Sequence, residues 1–339
     1  MKTIMKTLFV AVSSLSLMLS VNAGEMTVNG SAKATYNIAS GKQGEAGIGI
    51  TNELNFTASG EMDNGYAWSY SMELDPDESD GSALNDDSQM SLTLNEMGTV
   101  KVCVSECSNN KKYFWDQSAY TSVSDTGVSP SITYPDAEDS YNTLQYHTPE
   151  LPFSTKGTFA WGNAKNDASS GNYDAAAAGN SITAYSLTTS PVDGLSLAAS
   201  YYKVNDYDDG LTTENQLEEG GAYGVTYAIG NFTAGYGKSY KAPESTNLTT
   251  TTVEYYENRG ISLAFAVNDA LSVSYTDETS ESNAQHSPTV TYDVDLKSVQ
   301  AAYSLGGATL SLARSNFDNV NYVNGDDQTE TIIAMTFAF

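Results

Sequence analysis

Positive charge is scarce in this chain of 339 residues: 15 lysines and arginines stand against 42 acidic side chains, for a formal charge of −27. Such a balance excludes a nucleic-acid binder, because phosphates would be repelled rather than drawn in. Long apolar runs are missing too. The one continuous stretch of apolar or small residues, Leu8 to Leu19, is 12 residues long, short of the ~20 that a membrane-spanning helix requires. With a mean hydropathy of −0.34, an α-helical membrane protein is excluded. Histidine is limited to His147 and His286 and no Gly-x-Ser-x-Gly occurs, so the nucleophile, base and orienter of a hydrolytic site are not recognisable. The expectation is a protein that is not an enzyme. Tyrosine, by contrast, is abundant at 23 residues against 10 Phe and 3 Trp, which suits surfaces with one greasy and one wet side.

The single apolar run has its own explanation. Lys2 and Lys6 form a positive n-region, Leu8 to Leu19 an h-region, and Val21-Asn22-Ala23 a small-residue cleavage site. Residues 1–23 therefore read as a secretory signal peptide, in preference to an N-terminal helix of the domain, and residues 24–339 as the mature protein. Cleavage removes two lysines and shifts the charge from −27 to −29. Export to an oxidising compartment favours a local disulfide between Cys103 and Cys107. The competing reading, a metal site, would want further Cys or His nearby, and both histidines are remote in sequence.

From Met26 onward the pattern is alternation. Met26, Val28, Gly30, Ala32, Ala34, Tyr36 and Ile38 alternate with Thr27, Asn29, Ser31, Lys33, Thr35 and Asn37, one apolar-or-small face against one polar face of a strand. The second strand repeats it, with Ile48, Ile50, Leu54, Phe56 and Ala58 against Thr51, Glu53, Asn55, Thr57 and Ser59. Asp63-Asn64-Gly65 then marks a hairpin before Tyr66, Trp68, Tyr70 and Met72.

The connections fall into two alternating kinds. Short ones lie at 62–65, 95–98, 149–154, 191–194, 229–231, 268–270 and 306–307, and long acidic ones at 39–47, 75–87, 105–140, 163–179, 205–219, 241–249, 279–289 and 316–327. About sixteen strands lie between them, an even number with both chain ends on the short-turn side, as a bacterial transmembrane barrel has. A soluble β-sandwich has no reason for this asymmetry, and the continuous polar face fits a wet lumen inside a lipid-facing wall.

The last strand sharpens the reading. Thr331, Ile333, Met335, Phe337 and Phe339 share one face and the chain stops at an aromatic. Ile333, Met335, Phe337 and Phe339 resemble the C-terminal signal by which outer-membrane barrels are read by the assembly machinery. With the leader and the alternating connections, the mature chain resembles the general bacterial porins, the trimeric sixteen-stranded family. Gly24-Glu25-Met26-Thr27-Val28-Asn29-Gly30 and Gly60-Glu61-Met62-Asp63-Asn64-Gly65 are similar to its alphaproteobacterial branch.

That resemblance implies an all-β transmembrane antiparallel barrel in the outer membrane of a Gram-negative bacterium, with the third long connection folded into the lumen. Here 105–140 is the longest, and it carries Glu106, Asp116, Asp125, Asp136, Glu138 and Asp139. Parity puts Lys33 and Lys101 on the lumenal face, since Ala32, Ala34, Val100 and Val102 face lipid. Carboxylates on one wall and lysines on the other would set a transverse field. The family has a denser arginine cluster there, whereas this chain has only Arg259 and Arg314, so the pore is expected to prefer cations. Tyr113, Phe114, Trp115 and Tyr120 in the inward loop either anchor it to the wall or begin an aromatic slide of a sugar-type channel.

Outside the barrel, Lys165, Lys203, Lys238 and Arg314 continue the lipid-facing register toward the long-loop end, where lipopolysaccharide phosphates would be their partners. Arg259 shares the parity of lipid-facing Ile261, Leu263 and Phe265, a costly position. Asp75, Asp77 and Ser79 begin like a calcium loop, although Asp80 stands where the turn glycine belongs. Divalent cations bridging surface carboxylates are the looser form of this calcium expectation. The resemblance also implies a homotrimer, with the second long connection latching onto a neighbour and Gly30, Ala32 and Ala34 permitting close approach. The sequence thus reads as a passive diffusion pore for small hydrophilic solutes and ions. A solute-selective channel, or an adhesin or structural barrel without an open pore, stands as the alternative.

Overall fold

The computed structural model describes residues 25–41, 46–74, 87–104, 108–122, 132–162, 181–205, 216–245, 253–284 and 292–339. Sixteen strands run through them: β1 (Glu25–Ser40), β2 (Ala46–Glu61), β3 (Ala67–Leu74), β4 (Ser88–Thr93), β5 (Thr99–Val104), β6 (Thr143–His147), β7 (Lys156–Gly162), β8 (Ser181–Val192), β9 (Leu195–Asn205), β10 (Glu219–Ile229), β11 (Phe232–Ala242), β12 (Val253–Ala266), β13 (Leu271–Ala284), β14 (Val294–Ser304), β15 (Ala308–Asp318) and β16 (Gln328–Ala338). Each pairs antiparallel with its chain neighbour, and β1 closes on β16. Closure leaves no edge strand, and the strands satisfy one another's backbone polar groups along their paired lengths.

The closing seam joins the chain ends. Gly30 N–H donates to Phe339 O at 2.8 Å and Phe339 N–H to Gly30 O at 3.0 Å. A Cβ on Gly30 would lie 2.5 Å from Glu53 O and 3.0 Å from the Phe339 ring. The start of β1 and the end of β16 sit at the short-turn rim. The 62–65 hairpin forms as read: Met62 N–H donates to Tyr66 O at 2.8 Å and Gly65 adopts φ +82°.

The strand parity is the one the sequence implies. Met26, Val28, Ile48, Ile50, Val102, Ile261, Val299, Leu312, Ile333 and Phe337 are exposed on the outer face. The lumenal face is polar, yet its burial is uneven. From β6 round to β16, lumenal Gln145, Ser239, Asn258, Ser262, Ser274, Thr276, Ser298, Gln300 and Ser315 are buried, while no lumenal residue of β1 to β4 is. Among the described residues, one arc of the lumen is thus covered more closely than the other.

Candidate functional site: a lumenal loop strapped to one wall

The cover is the third long connection, described over 108–122 and 132–142. Its outgoing limb runs round the wall, and each step is fixed by a short polar side chain taking a backbone N–H. Lys111 N–H donates to Ser200 Oγ on β9 (2.9 Å), Gln117 N–H to Ser262 Oγ on β12 (3.0 Å), Ala119 N–H to Ser274 Oγ on β13 (2.8 Å) and Tyr120 N–H to Gln300 Oε1 on β14 (2.8 Å). The wall's hydroxyls and amides thus supply the partners that a loop in a lumen would otherwise lack.

Between β9 and β12 the wall is bare of side chains, and there Trp115 inserts. It is 3 % exposed, and its indole N–H donates to Lys112 O at 3.0 Å. Gly224, Gly235, Gly237 and Gly260 floor the niche; a Cβ would come within 1.8 Å of Trp115 O at Gly235 and within 1.9 Å of the indole at Gly260. The returning limb is tied higher up the wall. Tyr134 O–H donates to Glu278 Oε1 on β13 (2.9 Å), Asn258 Nδ2 on β12 donates to Thr133 O (3.0 Å), and Lys241 Nζ on β11 meets Asp136 Oδ1 (2.8 Å). Apolar contacts finish the seam: Ala137 and Tyr141 pack with Ala160, Ile182, Ala184, Tyr202 and Val204, and Ile132 packs on Leu296 and Phe317.

Four of the loop's six candidate carboxylates, Asp116, Asp136, Glu138 and Asp139, are described, and each has a local partner. Asp116 turns to the barrel, where its Oδ1 accepts from Ser118 Oγ (2.7 Å), Ser262 Oγ (3.4 Å) and Thr276 Oγ1 (3.4 Å). Burial pushes its carboxyl up, against the pull of those hydrogen bonds. Glu138, 4 % exposed, accepts from Asn109 N–H (3.3 Å) and Ser108 Oγ (3.4 Å). Burial is the main reason its carboxyl is pushed up to about 7. Asp136 is taken by Lys241, which also meets Glu218 Oε1 at 3.0 Å, and Asp139 by Lys112 at 3.8 Å. Asp116 thus faces the hydroxyls of the wall, whereas Asp136 and Asp139 stay partly exposed beside their lysines. Glu106 and Asp125 lie outside the described residues.

Lys33 projects from the β1–β4 arc between Thr336 and Thr51, and Lys101, half-buried, marks the border of the covered arc between Ser91 and buried Gln145. The loop adds cations that sequence reading passed over. Lys111 is lowered by burial, with Glu138 opposing the shift, and Lys112 lies 5.2 Å from the Tyr113 ring centroid. His147 sits on the lumenal face of β6, its ring held between Gln145 (2.9 Å) and Thr158 (3.2 Å). Cys103 is wholly buried and not free, while Cys107 lies outside the described residues.

On the outer face, Lys203, Lys238, Arg259 and Arg314 all point outward, in the register that parity gives. Lys238 is 2.5 Å from Glu257 and pairs across from Arg259. Lys165, the leader 1–23 and the calcium-like Asp75, Asp77 and Ser79 lie outside the described residues.

No protein-family model matches the chain, and no curated protein sequence matches it. Solved structures do. A porin covers 93 % of the chain and is itself covered completely, at 15 % identity and TM-score 0.66. An anion-selective porin from Comamonas acidovorans covers 93 % and is covered completely, at 13 % identity and TM-score 0.68. OmpF of Salmonella typhi, in complex with daunomycin, covers 94 % with 98 % of its own length matched, at 13 % identity and TM-score 0.66. This chain shares their fold, a closed sixteen-stranded antiparallel barrel, over nearly its whole length.

Proposed function

We propose that this porin-fold barrel is an outer-membrane diffusion pore that passes small hydrophilic solutes and ions without chemistry. The observation that carries the reading is the uneven lumen: a loop strapped to the β6–β16 arc narrows the passage, and the β1–β4 arc stays polar, with Lys33, Ser69 and Ser91 on its lumenal face and Lys101 at its border. An outer face of exposed aliphatic and aromatic side chains suits lipid. Export, the C-terminal signal of Ile333, Met335, Phe337 and Phe339, and assembly as a homotrimer through the face bearing Gly30, Ala32 and Ala34 belong to the same proposal, as does a Cys103–Cys107 disulfide at the root of the inward loop. Lipopolysaccharide is then the neighbour of the outward cations.

The pore prefers cations in this reading, through the summed field of a strongly acidic chain, −29 once the leader is removed, while the described loop carboxylates Asp116, Asp136, Glu138 and Asp139 have local partners. Trp115 in its glycine niche supports an anchoring role for the loop aromatics over a sugar slide. Single-channel conductance in a planar bilayer under a salt gradient tests the reading. Large steady steps in threes with a cation-biased reversal potential support it, and a silent bilayer turns it toward a structural or adhesive barrel.

A further inference from the structure

Acidic side chains are spread unevenly round the barrel. The chain has 42 of them, yet six consecutive strands, β4 to β9, carry none, while every other strand except β11 carries at least one. On the lumenal face of this sector stand Lys101 on β5, His147 on β6 and Lys156 on β7. Lys101 has Ser91 and Gln145 across from it and Gln89, Thr93, Thr143 and His147 on its diagonals. Lys156 has Thr188 across from it. No carboxylate holds a place beside either lysine in the sheet. The other strand lysines differ: Lys33 has Glu53 on a diagonal, Lys203 has Glu219 and Lys297 has Asp277 directly across, and Lys238 and Lys241 are ion-paired.

The inward loop brings a further cation to the same spot. Asn109 Nδ2 donates to Gln145 Oε1 at 2.9 Å, and His147 Nε2 meets that same oxygen at 2.9 Å. An amide oxygen only accepts, so Nε2 carries the imidazole proton and Nδ1 accepts from Thr158 Oγ1 at 3.2 Å. The ring is thereby fixed, and it fixes Gln145, which seats the loop two residues before Lys111. Lys111 is held in turn through its backbone N–H by Ser200. Lys101 and Lys111 are both near enough to bear on the imidazole electrostatically, and both are half-buried. Among the described residues neither makes an ion pair. Glu138 is the carboxylate that bears on Lys111, and its own burial pushes it up to about 7. Hydroxyls line the wall alongside, with Thr93 and Thr99 3.0 Å apart and Ser69 and Ser91 2.6 Å apart.

We propose that Lys101 and Lys111, with Lys156 nearer the short-turn end, form a lumenal site for a small divalent oxyanion of the phosphate class. Two half-buried ammonium groups close together repel each other and have lost part of their hydration, and one doubly charged anion between them offsets both costs. Lysines act as point charges with three donors each, whereas the fork that grips a planar carboxylate belongs to arginine. Both arginines point out of the barrel, so the lumen offers donors from several directions, as a tetrahedral oxyanion requires. His147 is a positioning residue here, holding the loop through Gln145 so that Lys111 stands by Lys101. The site does not oppose the cation preference: the field of the acidic chain governs single ions in the bulk of the passage, and the lysines act only within a few ångströms. This inference rests on the pore reading above and adds a solute class to it.

The test uses the full chain in a nonionic detergent, titrated with inorganic phosphate at neutral pH and constant ionic strength and followed by phosphorus NMR line broadening. Saturable broadening is expected, and Lys101→Gln with Lys111→Gln is expected to weaken it at least about tenfold. Lys33→Gln with Lys297→Gln removes the same charge elsewhere and is expected to change it less than about twofold. Equal losses in the two pairs, no loss in the first, or no saturable broadening in the unaltered protein overturns the site. Should Lys111→Gln loosen the loop, Lys101→Gln with Lys156→Gln leaves the loop untouched and is still expected to weaken binding at least about fivefold; unchanged binding there overturns the site too. Sulfate should compete with phosphate, and acetate competing equally well overturns the preference for a divalent oxyanion. Circular dichroism establishes that each variant keeps its barrel. Conductance on the same samples separates the two readings: a silent barrel that keeps the phosphate pattern sinks the pore and leaves the site, and a conducting barrel without the pattern does the reverse.

Discussion

The indole of Trp115 occupies the space that a side chain on Gly237 would fill: a Cβ there would lie 2.2 Å from the indole Cδ1. Strand glycines ordinarily weaken a sheet, and they persist where another backbone or a bulky group approaches closely. Gly237→Ala is therefore expected to evict the indole and cost about 1 to 3 kcal/mol, with frequent sub-conductance transitions as the loop leaves the wall. Gly47→Ala, where nothing lies within 4 Å of the new carbon, is the matched control and is expected to leave both stability and single-channel traces unchanged. Trp115→Phe should restore part of what Trp115→Ala loses. Quiet traces from Gly237→Ala would show that the niche does not hold the loop.

Glu138 gives the loop a pH dependence of definite sign. Its carboxyl is pushed from 4.5 up to about 7 in the folded chain, chiefly by burial. Between those values the folded state binds more protons than the unfolded one, so stability falls as pH rises through the window and levels off above it. The size is of order 3 kcal/mol. Asp116 and Asp139 are raised as well, again chiefly by burial, and act in the same direction. The guanidinium midpoint of the detergent-held barrel should fall between about pH 5 and about pH 8, and Glu138→Gln should flatten that slope. An equally steep slope in the variant would place the titration elsewhere.

The barrel was legible because its signal is local and repeated. Alternation such as Met26 to Ile38, short turns such as 62–65 and the even strand number are all carried by neighbouring residues, and the β1–β16 closure follows from them. The inward loop was legible only by its length and by resemblance. Its bonds to β9 through β14 join residues 89 to 180 positions apart, as in Lys111 with Ser200 and Tyr120 with Gln300, and no spacing along the chain encodes such pairs. Asp116 and Glu138 were assigned to the pore because a loop carboxylate normally seeks water. The serine and threonine hydroxyls that receive Asp116 looked, in sequence, like ordinary lumen lining. One signal was present and unread: Gly235 and Gly237 fall on a single face of β11, beside Gly224 and Gly260 on the lumenal faces of its neighbours, a bare floor that calls for a large occupant.

Lys241 ties the returning limb by two bonds at once, 2.8 Å to Asp136 and 3.0 Å to Glu218. Its side chain is 17 % exposed, while Asp136 is 47 % exposed, so most of the cost of losing it falls on Glu218. Lys241→Met leaves that carboxylate without its counter-charge and is expected to destabilise by about 2 kcal/mol, less than a fully buried pair would. Adding Glu218→Gln should recover most of the loss, because it removes the stranded charge. If the double variant is no more stable than the single one by chemical denaturation, the lysine acts by packing rather than by charge.

Selectivity should follow salt in a way that locates its source. Screening lengths are about 10 Å at 0.1 M and about 3 Å at 1 M, so a cation preference arising from acidic side chains spread around the mouth fades as salt rises. One arising from charges within contact of the passing ion does not. Asp116 is engaged by Ser118, Ser262 and Thr276, and Asp139 by Lys112, so the summed charge of the acidic chain, −29 without its leader, stands as the proposed source of the field. The permeability ratio for potassium over chloride is therefore expected to decline steadily as mean salt is raised at fixed gradient. Asp116→Asn should change it by less than about twofold, since that charge is already answered at the wall. Lys101→Glu, which places a new carboxylate at the border of the covered arc between Ser91 and Gln145, should raise the ratio even in concentrated salt, where the mouth is screened but the narrow passage is not. A ratio independent of salt in the unaltered protein would put the selecting charges in the constriction after all.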